Sequence, residues 1–167
     1  EKPVCALERV RLDLSDVQAR RELFLQLGRR GNRVLVVTEG LLVYLTAEEA
    51  AALGNDLAAQ PAFQHWILDL LSPALLKMLA KKMAAPLDQA GIPLKFAPET
   101  GPKFFTQCGW EPEQIHSLMH AAAKIKRLPF FLRLIAMISS ERFQANRPWS
   151  GVCLMGRRGS ERVRTKY

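Results

Sequence analysis

The chain of 167 residues is 49% hydrophobic and 24% charged, a composition typical of one packed globular domain and not of disordered, fibrous or disulfide-stapled proteins. Its formal net charge is +8, but residues 157–166 contain five basic residues and one acidic residue, so half of that excess lies in a C-terminal tail. The basic character is therefore weak evidence for a nucleic-acid partner, and the apolar runs at 41–45 and 128–138 are shorter than the roughly 20 residues of a membrane-spanning helix.

The first predicted elements are a short strand, a helix and a longer strand. Apolar and polar residues alternate over residues 10–14, which predicts a strand with one covered face. Ser15 followed by Gln18 is a helix-start signal, and the apolar face behind it predicts about three helical turns that end at Gly28. The β-branched run at 33–38 is typical of a strand buried on both faces of a parallel sheet, so we predict it as the central strand.

The middle of the chain continues the alternation of helix and strand. Thr46 with Glu49 forms a capping box, which predicts a helix up to the break at 60–61. The apolar run at 63–71 has the length and position of a second buried strand, and apolar residues repeat at helical spacing over residues 75–83. This alternation predicts an α/β fold with a mostly parallel sheet.

The last third of the chain predicts smaller elements. Pro102 and Gly109 bracket a short helix, and residues 118–122 continue helically. Residues 124–142 are basic and apolar and predict a helix or helix pair that covers the sheet. Residues 149–155 form a strand candidate isolated between turns.

Two acidic turns are the candidate binding residues. Asp13 and Leu14 end the first predicted strand, and Glu39 and Gly40 follow the strand at 33–38. Ligands of open parallel sheets bind beyond the carboxyl ends of the strands, where a carboxylate can accept hydrogen bonds and a glycine allows close approach. The alternative is structural: Asp13 ends a strand and Glu39 pairs with an arginine.

Several segments together resemble the leucine carboxyl methyltransferase-like family of S-adenosylmethionine-dependent O-methyltransferases. The main one is VVTEGLLVYLTAEEAAAL at 36–53, and four others follow the family's order at 9–16, 96–110, 126–129 and 147–151. The resemblance covers nearly the whole chain. It implies a Rossmann-like class I methyltransferase sheet, mostly parallel with a late antiparallel strand at 149–155.

The resemblance implies a role for each candidate residue. Asp13 and Leu14 would lie against the adenine of S-adenosylmethionine, and Glu39, in the turn with Gly40, would contact the amino-acid end of the cofactor. Tyr44 would face the substrate, with a core tyrosine as the alternative. A metal is not implied.

The chain departs from the family at its start. The family's glycine-rich loop and its ribose-binding acidic residue would lie before Glu1, and no Gly-x-Gly occurs in the 167 residues. We therefore interpret residues 1–156 as the C-terminal portion of a methyltransferase domain that lacks the N-terminal strands, and residues 157–167 as a basic tail. We expect this portion alone to bind the cofactor poorly.

The resemblance implies O-methylation of a carboxylate or hydroxyl on a small molecule. Three widely spaced cysteines suit a reducing compartment, so we expect a cytoplasmic location. One alternative is a nucleic-acid-binding module that uses the tail and the basic loop at 28–31, although aromatic residues do not accompany the basic ones. Another is a non-catalytic methyltransferase relative. His116 and His120 are four residues apart and are interpreted as one face of a helix, not as catalytic bases.

Overall fold

The computed structural model describes residues 4–82, 93–125 and 142–159. Within them the strands are β1 (Val34–Thr38), β2 (Phe63–Leu71), β3 (Trp110–Ser117) and β4 (Ser150–Arg157). The α-helices are α1 (Val17–Arg30), α2 (Ala47–Ala58), α3 (Pro73–Lys82) and α4 (Leu118–Lys124). Two 3₁₀-helices span Leu42–Tyr44 and Gly101–Cys108. The predicted α/β class is therefore the observed one.

The sheet is mixed, with the strand order β1-β2-β4-β3. β1 pairs with β2 in parallel, whereas β4 is antiparallel to both β2 and β3. The prediction of a mostly parallel sheet is thus wrong: one pairing of the described strands is parallel and two are antiparallel. The physical reason is the insertion of one reversed strand between two others, which turns both of its pairings antiparallel. That reversed strand, β4, is the isolated strand predicted at 149–155.

One face of the sheet carries the core. Trp66, Leu68 and Leu70 alternate along β2 and are all buried, as a strand covered on one face requires. The Trp66 ring packs edge-on against Phe105 and Trp110, with ring centroids 4.8 and 5.6 Å apart. Buried residues of α1, α2 and the second 3₁₀-helix complete this core.

The opposite face of β1 is open. Leu35 and Val37 are 55% and 58% exposed, although the sequence predicts a central strand buried on both sides. β1 is not central, because it stands at the edge of the described sheet with β2 as its ladder partner. It is not buried on both faces, because no described element packs over Leu35 and Val37. The apolar run at 33–38 therefore shows that both faces of β1 could be covered, but the described residues cover only one of them.

The N-terminal elements differ from their predictions. Residues 10–14 do not form the predicted strand, because no described residue pairs with them and an extended segment needs a ladder partner. The N-cap of α1 is Asp16, which accepts a hydrogen bond from Ala19 N at 3.0 Å, and the helix runs through Gly28 to Arg30. At Gly28 a Cβ would stand 2.9 Å from the Gln60 Oε1, so the glycine permits close packing and does not end the helix.

The sequence predicts the later elements where the local signal is strong and misses them where it is weak. The Thr46 and Glu49 capping box is present at α2, and the short helix between Pro102 and Gly109 is the second 3₁₀-helix. β3 is missed because its sequence is polar and contains Pro112, which suits an edge strand held by its neighbour β4. The helix predicted at 124–142 falls mostly outside the described residues.

Candidate functional site

The turn after β1 is fixed by two side chains of β2. Trp66 Nε1 donates a hydrogen bond to Thr38 Oγ1 at 3.0 Å, and Gly40 N donates to Asp69 Oδ1 at 3.0 Å. Glu39 lies between these two attachment points and is exposed. The carboxylate of Glu39 is thus presented from a rigid turn at the carboxyl end of β1, where open α/β sheets bind ligands.

Gly40 is the residue that this turn requires. Its φ is +61°, in the left-handed region that favours glycine. A Cβ at this position would meet no atom within 4 Å, so the space beside the backbone is open. A ligand group can therefore approach the main chain here.

Asp13 lies in a second polar turn. Its Oδ1 accepts hydrogen bonds from Ser15 N at 2.9 Å and from Ser15 Oγ at 2.8 Å. Both bonds lower the pKa of Asp13 below its ordinary value, and the bond from the Ser15 backbone has the larger effect. The side chain is exposed and remains ionised at neutral pH, as a hydrogen-bond acceptor for a ligand must.

A small cavity lies between the segments that follow the two turns. Leu14 and Ser15 line it together with Leu41 and Leu45, whereas Asp13, Glu39 and Gly40 do not. Its volume is about 100 Å³, less than the about 300–1,000 Å³ of small-molecule sites. The residues that line it therefore form a wall and not a complete pocket.

A buried charge network supports this wall. Arg20, 5% exposed, donates to Leu14 O at 2.7 Å and forms an ion pair with Asp56, which also accepts from Arg21 Nε at 2.7 Å. The network ties the Leu14 turn to α2. The sequence analysis did not identify it, although an aspartate between Leu53 and Leu57 in an apolar helical stripe is a signal for such a pair.

The structural alternatives for the candidate residues are not observed. Glu39 forms no ion pair with any described arginine, and Asp13 does not end a strand. Tyr44 is 42% exposed, so it is not a core residue. The cofactor and substrate roles of these residues, with Leu14 and Gly40, stay predictions.

Asp69 is a site residue that the sequence analysis missed. It lies near the carboxyl end of β2, and its half-buried carboxylate holds the Gly40 turn. Together with burial, its charge raises the pKa of the Cys153 thiol to about 12, so this cysteine is not a nucleophile at neutral pH. A single acid in the apolar run at 63–71 was the available signal.

The remaining polar candidates give little chemistry. His116 belongs to β3 and His120 to α4, so the prediction that they share one helix face is wrong, because the strand ends between them. The part of the chain that the structure describes has no cluster of three metal-ligating side chains. Nor does any described helix have the length and apolar character to cross a membrane.

The basic segments are partly neutralised. Arg30 pairs with Glu8 at 2.7 Å, and Arg158 pairs with Glu111 at 2.7 Å. Such surface pairs reduce the positive potential that nucleic-acid binding needs. Residues 160–167 of the predicted tail lie outside the described residues, so the nucleic-acid alternative stays a prediction.

Comparison with known proteins finds similarity among solved structures. Neither a protein-family model nor a curated protein matches this sequence. Among solved structures, the chain is similar to the crystal structure of magnesium protoporphyrin IX methyltransferase (ChlM) from Synechocystis PCC 6803 with bound SAH. The identity is 15%, the TM-score is 0.43, and the match covers 78% of this chain and 48% of the other, so this chain spans about half of that length. A similarity this low assigns neither a family nor an activity.

Proposed function

We propose that this chain is the C-terminal portion of an S-adenosylmethionine-dependent methyltransferase that methylates an oxygen of a carboxylate or hydroxyl on a small molecule in the cytoplasm. One observation carries the proposal: Leu14 and Ser15, which follow Asp13, line one cavity with Leu41 and Leu45, which follow Glu39 at the carboxyl end of β1. The family resemblance of residues 36–53 supports the same activity. The methyltransferase structure with bound SAH is compatible with it but too dissimilar to add weight.

The candidate residues fit the chemistry of the cofactor. The exposed carboxylate of Glu39 suits an α-ammonium group, and the ionised Asp13 suits a hydrogen-bond donor on the nucleoside. Leu14 offers an apolar surface to a base, and Gly40 leaves room beside the backbone. When bound, S-adenosylmethionine supplies an activated methyl group for in-line transfer to a nucleophile.

The protein's task in such a transfer is to position the acceptor. Alignment of two reactants can supply about 7–11 kcal/mol of the barrier without a covalent residue. A carboxylate acceptor, with an ordinary pKa near 4, is ionised at neutral pH and needs no base. His65 lies near the amino end of β2, where its Nε2 is 3.7 Å from a carboxylate oxygen of Glu113. It is therefore at the other end of the strand from the candidate turns and is not placed to act as a base.

The test is binding of S-adenosylmethionine, measured by isothermal titration calorimetry. We expect no micromolar binding to the 167-residue chain, since it has no Gly-x-Gly loop, and saturable binding to a protein extended by the residues encoded before Glu1. In the extended protein, Glu39→Ala should weaken binding about tenfold or more, which equals about 1.4 kcal/mol. Transfer of a tritiated methyl group should fall with it.

The matched control is Glu111→Ala. Glu111 is an exposed residue near the start of β3, at the opposite edge of the sheet from β1. We expect its replacement to leave the cofactor affinity unchanged. Micromolar binding by the 167 residues alone, or equal affinity of the Glu39 variant, would show the proposal wrong. Duplex DNA binding that weakens steeply with salt and survives Glu39→Ala would favour the nucleic-acid alternative.

A further inference from the structure

A second and larger cavity lies at the carboxyl end of the sheet. Its volume is about 420 Å³, within the about 300–1,000 Å³ of small-molecule sites. It is enclosed by the start of α3, the start of α4 and the segment 142–150. None of the residues that line it was a candidate in the sequence analysis.

The lining combines apolar surface with positive charge. The apolar residues include Met78, Met119 and Trp149, and the charged residues among the described lining are Arg142 and Arg147, with no acidic side chain. The side chain of Arg147 forms no ion pair with any residue in the described ranges 4–82, 93–125 and 142–159. Its guanidinium is a planar fork of donors that matches a carboxylate.

The wall that carries Arg147 is held in place. Ser72, which is fully buried, donates from Oγ to Arg147 O at 2.7 Å and accepts from Trp149 N at 3.0 Å. Ser72 N donates to Trp149 O at 2.8 Å, and Phe143 packs edge-on against the Trp149 ring at 5.2 Å. The backbone that presents the guanidinium is therefore preorganised, which lowers the entropic cost of ligand binding.

The cavity lies at the same end of the sheet as the proposed cofactor site. It begins just after β2, whose Asp69 accepts a hydrogen bond from Gly40, and adjacent strands of a sheet are about 4.8 Å apart. Both sites thus lie at one edge of the sheet, where the strands that run parallel to β1 end.

We propose that this cavity binds the methyl acceptor, and that the acceptor is an apolar small molecule with a carboxylate held by Arg147. The apolar lining and its methionines suit a flat or branched hydrocarbon body. The guanidinium of Arg147, which has no ion pair with a described residue, selects for an anion. The role as acceptor site rests on the proposed function, whereas the preference for an apolar acid does not.

The experiment compares two probes on the 167-residue chain without cofactor. Naphthalene-2-carboxylate and the neutral naphthalene-2-carboxamide are titrated into protein with ¹³C-labelled methionine methyl groups. We expect the signals of Met78 and Met119 to shift and that of Met155, buried in the core, to stay. The carboxylate should bind about fivefold more tightly than the amide, as a partly exposed ion pair allows.

Variants separate this site from others. Arg147→Ala should abolish the preference for the carboxylate and leave amide binding unchanged, and Arg147→Lys should keep part of the preference. Arg33→Ala, an exposed arginine beside the open sheet face, should change nothing. Shifts confined to other methionines, equal affinities of the two probes, or an unchanged preference in Arg147→Ala would overturn the proposal.

The two proposals fail separately. If the probes bind as expected but the extended protein does not bind S-adenosylmethionine, the proposed function fails and the cavity stands as an acid-binding site. If the extended protein binds S-adenosylmethionine but the probes do not distinguish carboxylate from amide, the acceptor assignment fails alone.

Discussion

At the scale of single residues, the candidate site depends on carboxylates that are each held by one neighbour. Ser15 bonds Asp13 through both its N–H and its hydroxyl, and Asp69 accepts the N–H of Gly40. Neither the Asp13 nor the Asp69 carboxylate forms an ion pair with another residue in the described ranges, so these bonds orient the two groups without neutralising their charge.

Replacement of Ser15 tests the Asp13 turn. Ser15→Ala removes the hydroxyl bond and keeps the backbone bond, so the pKa of Asp13 should rise part of the way to its ordinary value. A lowered pKa contributes stability above the unfolded-state pKa that is lost as pH falls through the folded one. The variant should therefore be less stable than the native chain at neutral pH, and the difference should disappear in acid. NMR titration of the carboxyl carbon measures this, and Ser15→Thr is the control. An unchanged midpoint in Ser15→Ala would contradict the assignment.

Replacement of Asp69 tests the Gly40 turn. Asp69→Ala removes the acceptor of the Gly40 amide, whereas Asp69→Asn keeps an oxygen at the same place. A net hydrogen-bond contribution of about 0.5–1.5 kcal/mol corresponds to exchange of the Gly40 amide that is about 2- to 12-fold faster in Asp69→Ala. Hydrogen exchange followed by NMR measures it. Equal acceleration in the Asn variant would mean that the carboxylate charge, and not the bond, protects the amide.

At the scale of elements, Ser72 joins β2, α3 and β4. Its Oγ accepts from Leu75 N at 3.2 Å, which caps α3, while its bonds to Arg147 and Trp149 hold the lead into β4. One buried hydroxyl thus satisfies three backbone groups, one at the start of α3 and two just before β4. Because α3 and the segment before β4 line the larger cavity, its shape depends on this junction.

Loss of this hydroxyl should be costly. Ser72→Ala leaves the buried Trp149 N–H without its acceptor, which costs about 1–3 kcal/mol. For a chain of this size that corresponds to a fall in Tm of about 2–12 °C, measured by calorimetry or circular dichroism. Ser150→Ala, at a half-buried serine that lines the same cavity, is the control and should shift Tm little. Similar Tm values for both variants would contradict the central role of Ser72.

At the scale of the whole molecule, the two faces of the sheet are unequal. Helices α1 and α2 cover the face with Trp66 and Leu68, whereas Leu35 and Val37 on the other face contact solvent. A depression of about 380 Å³ between β1, β2 and β3 lies on that open face. The described residues therefore stabilise the fold through one core and not through two.

A pair of leucine variants tests this asymmetry. Leu68→Ala should cost about 2–5 kcal/mol of unfolding free energy, because the side chain is fully buried. Leu35→Ala, at a leucine that is 55% exposed, should change the free energy by about 0.5 kcal/mol or less. Urea denaturation gives both values. A large cost at Leu35 would mean that this face is covered in solution.

The sequence predicted elements with strong local signals. The capping box of α2, the strand β2 and the reversed strand β4 follow from side chains that act within a few residues. The turn at Glu39 and Gly40 was predictable for the same reason, since a glycine after an apolar strand marks the point where the chain leaves the sheet. The strand β3 was not, because its polar sequence is held by pairing with β4 and not by its own preference.

By itself the sequence determined the α/β class and the two acidic turns, because hydrophobic period, capping and turn chemistry are local properties of the chain. Tertiary structure alone decided that β4 separates β2 from β3, that β1 has an open face, and that Arg147 and Met119 line one cavity. These features join residues far apart in the chain. They depend on which distant surfaces pack against each other in the core, and a local sequence pattern does not specify such long-range contacts.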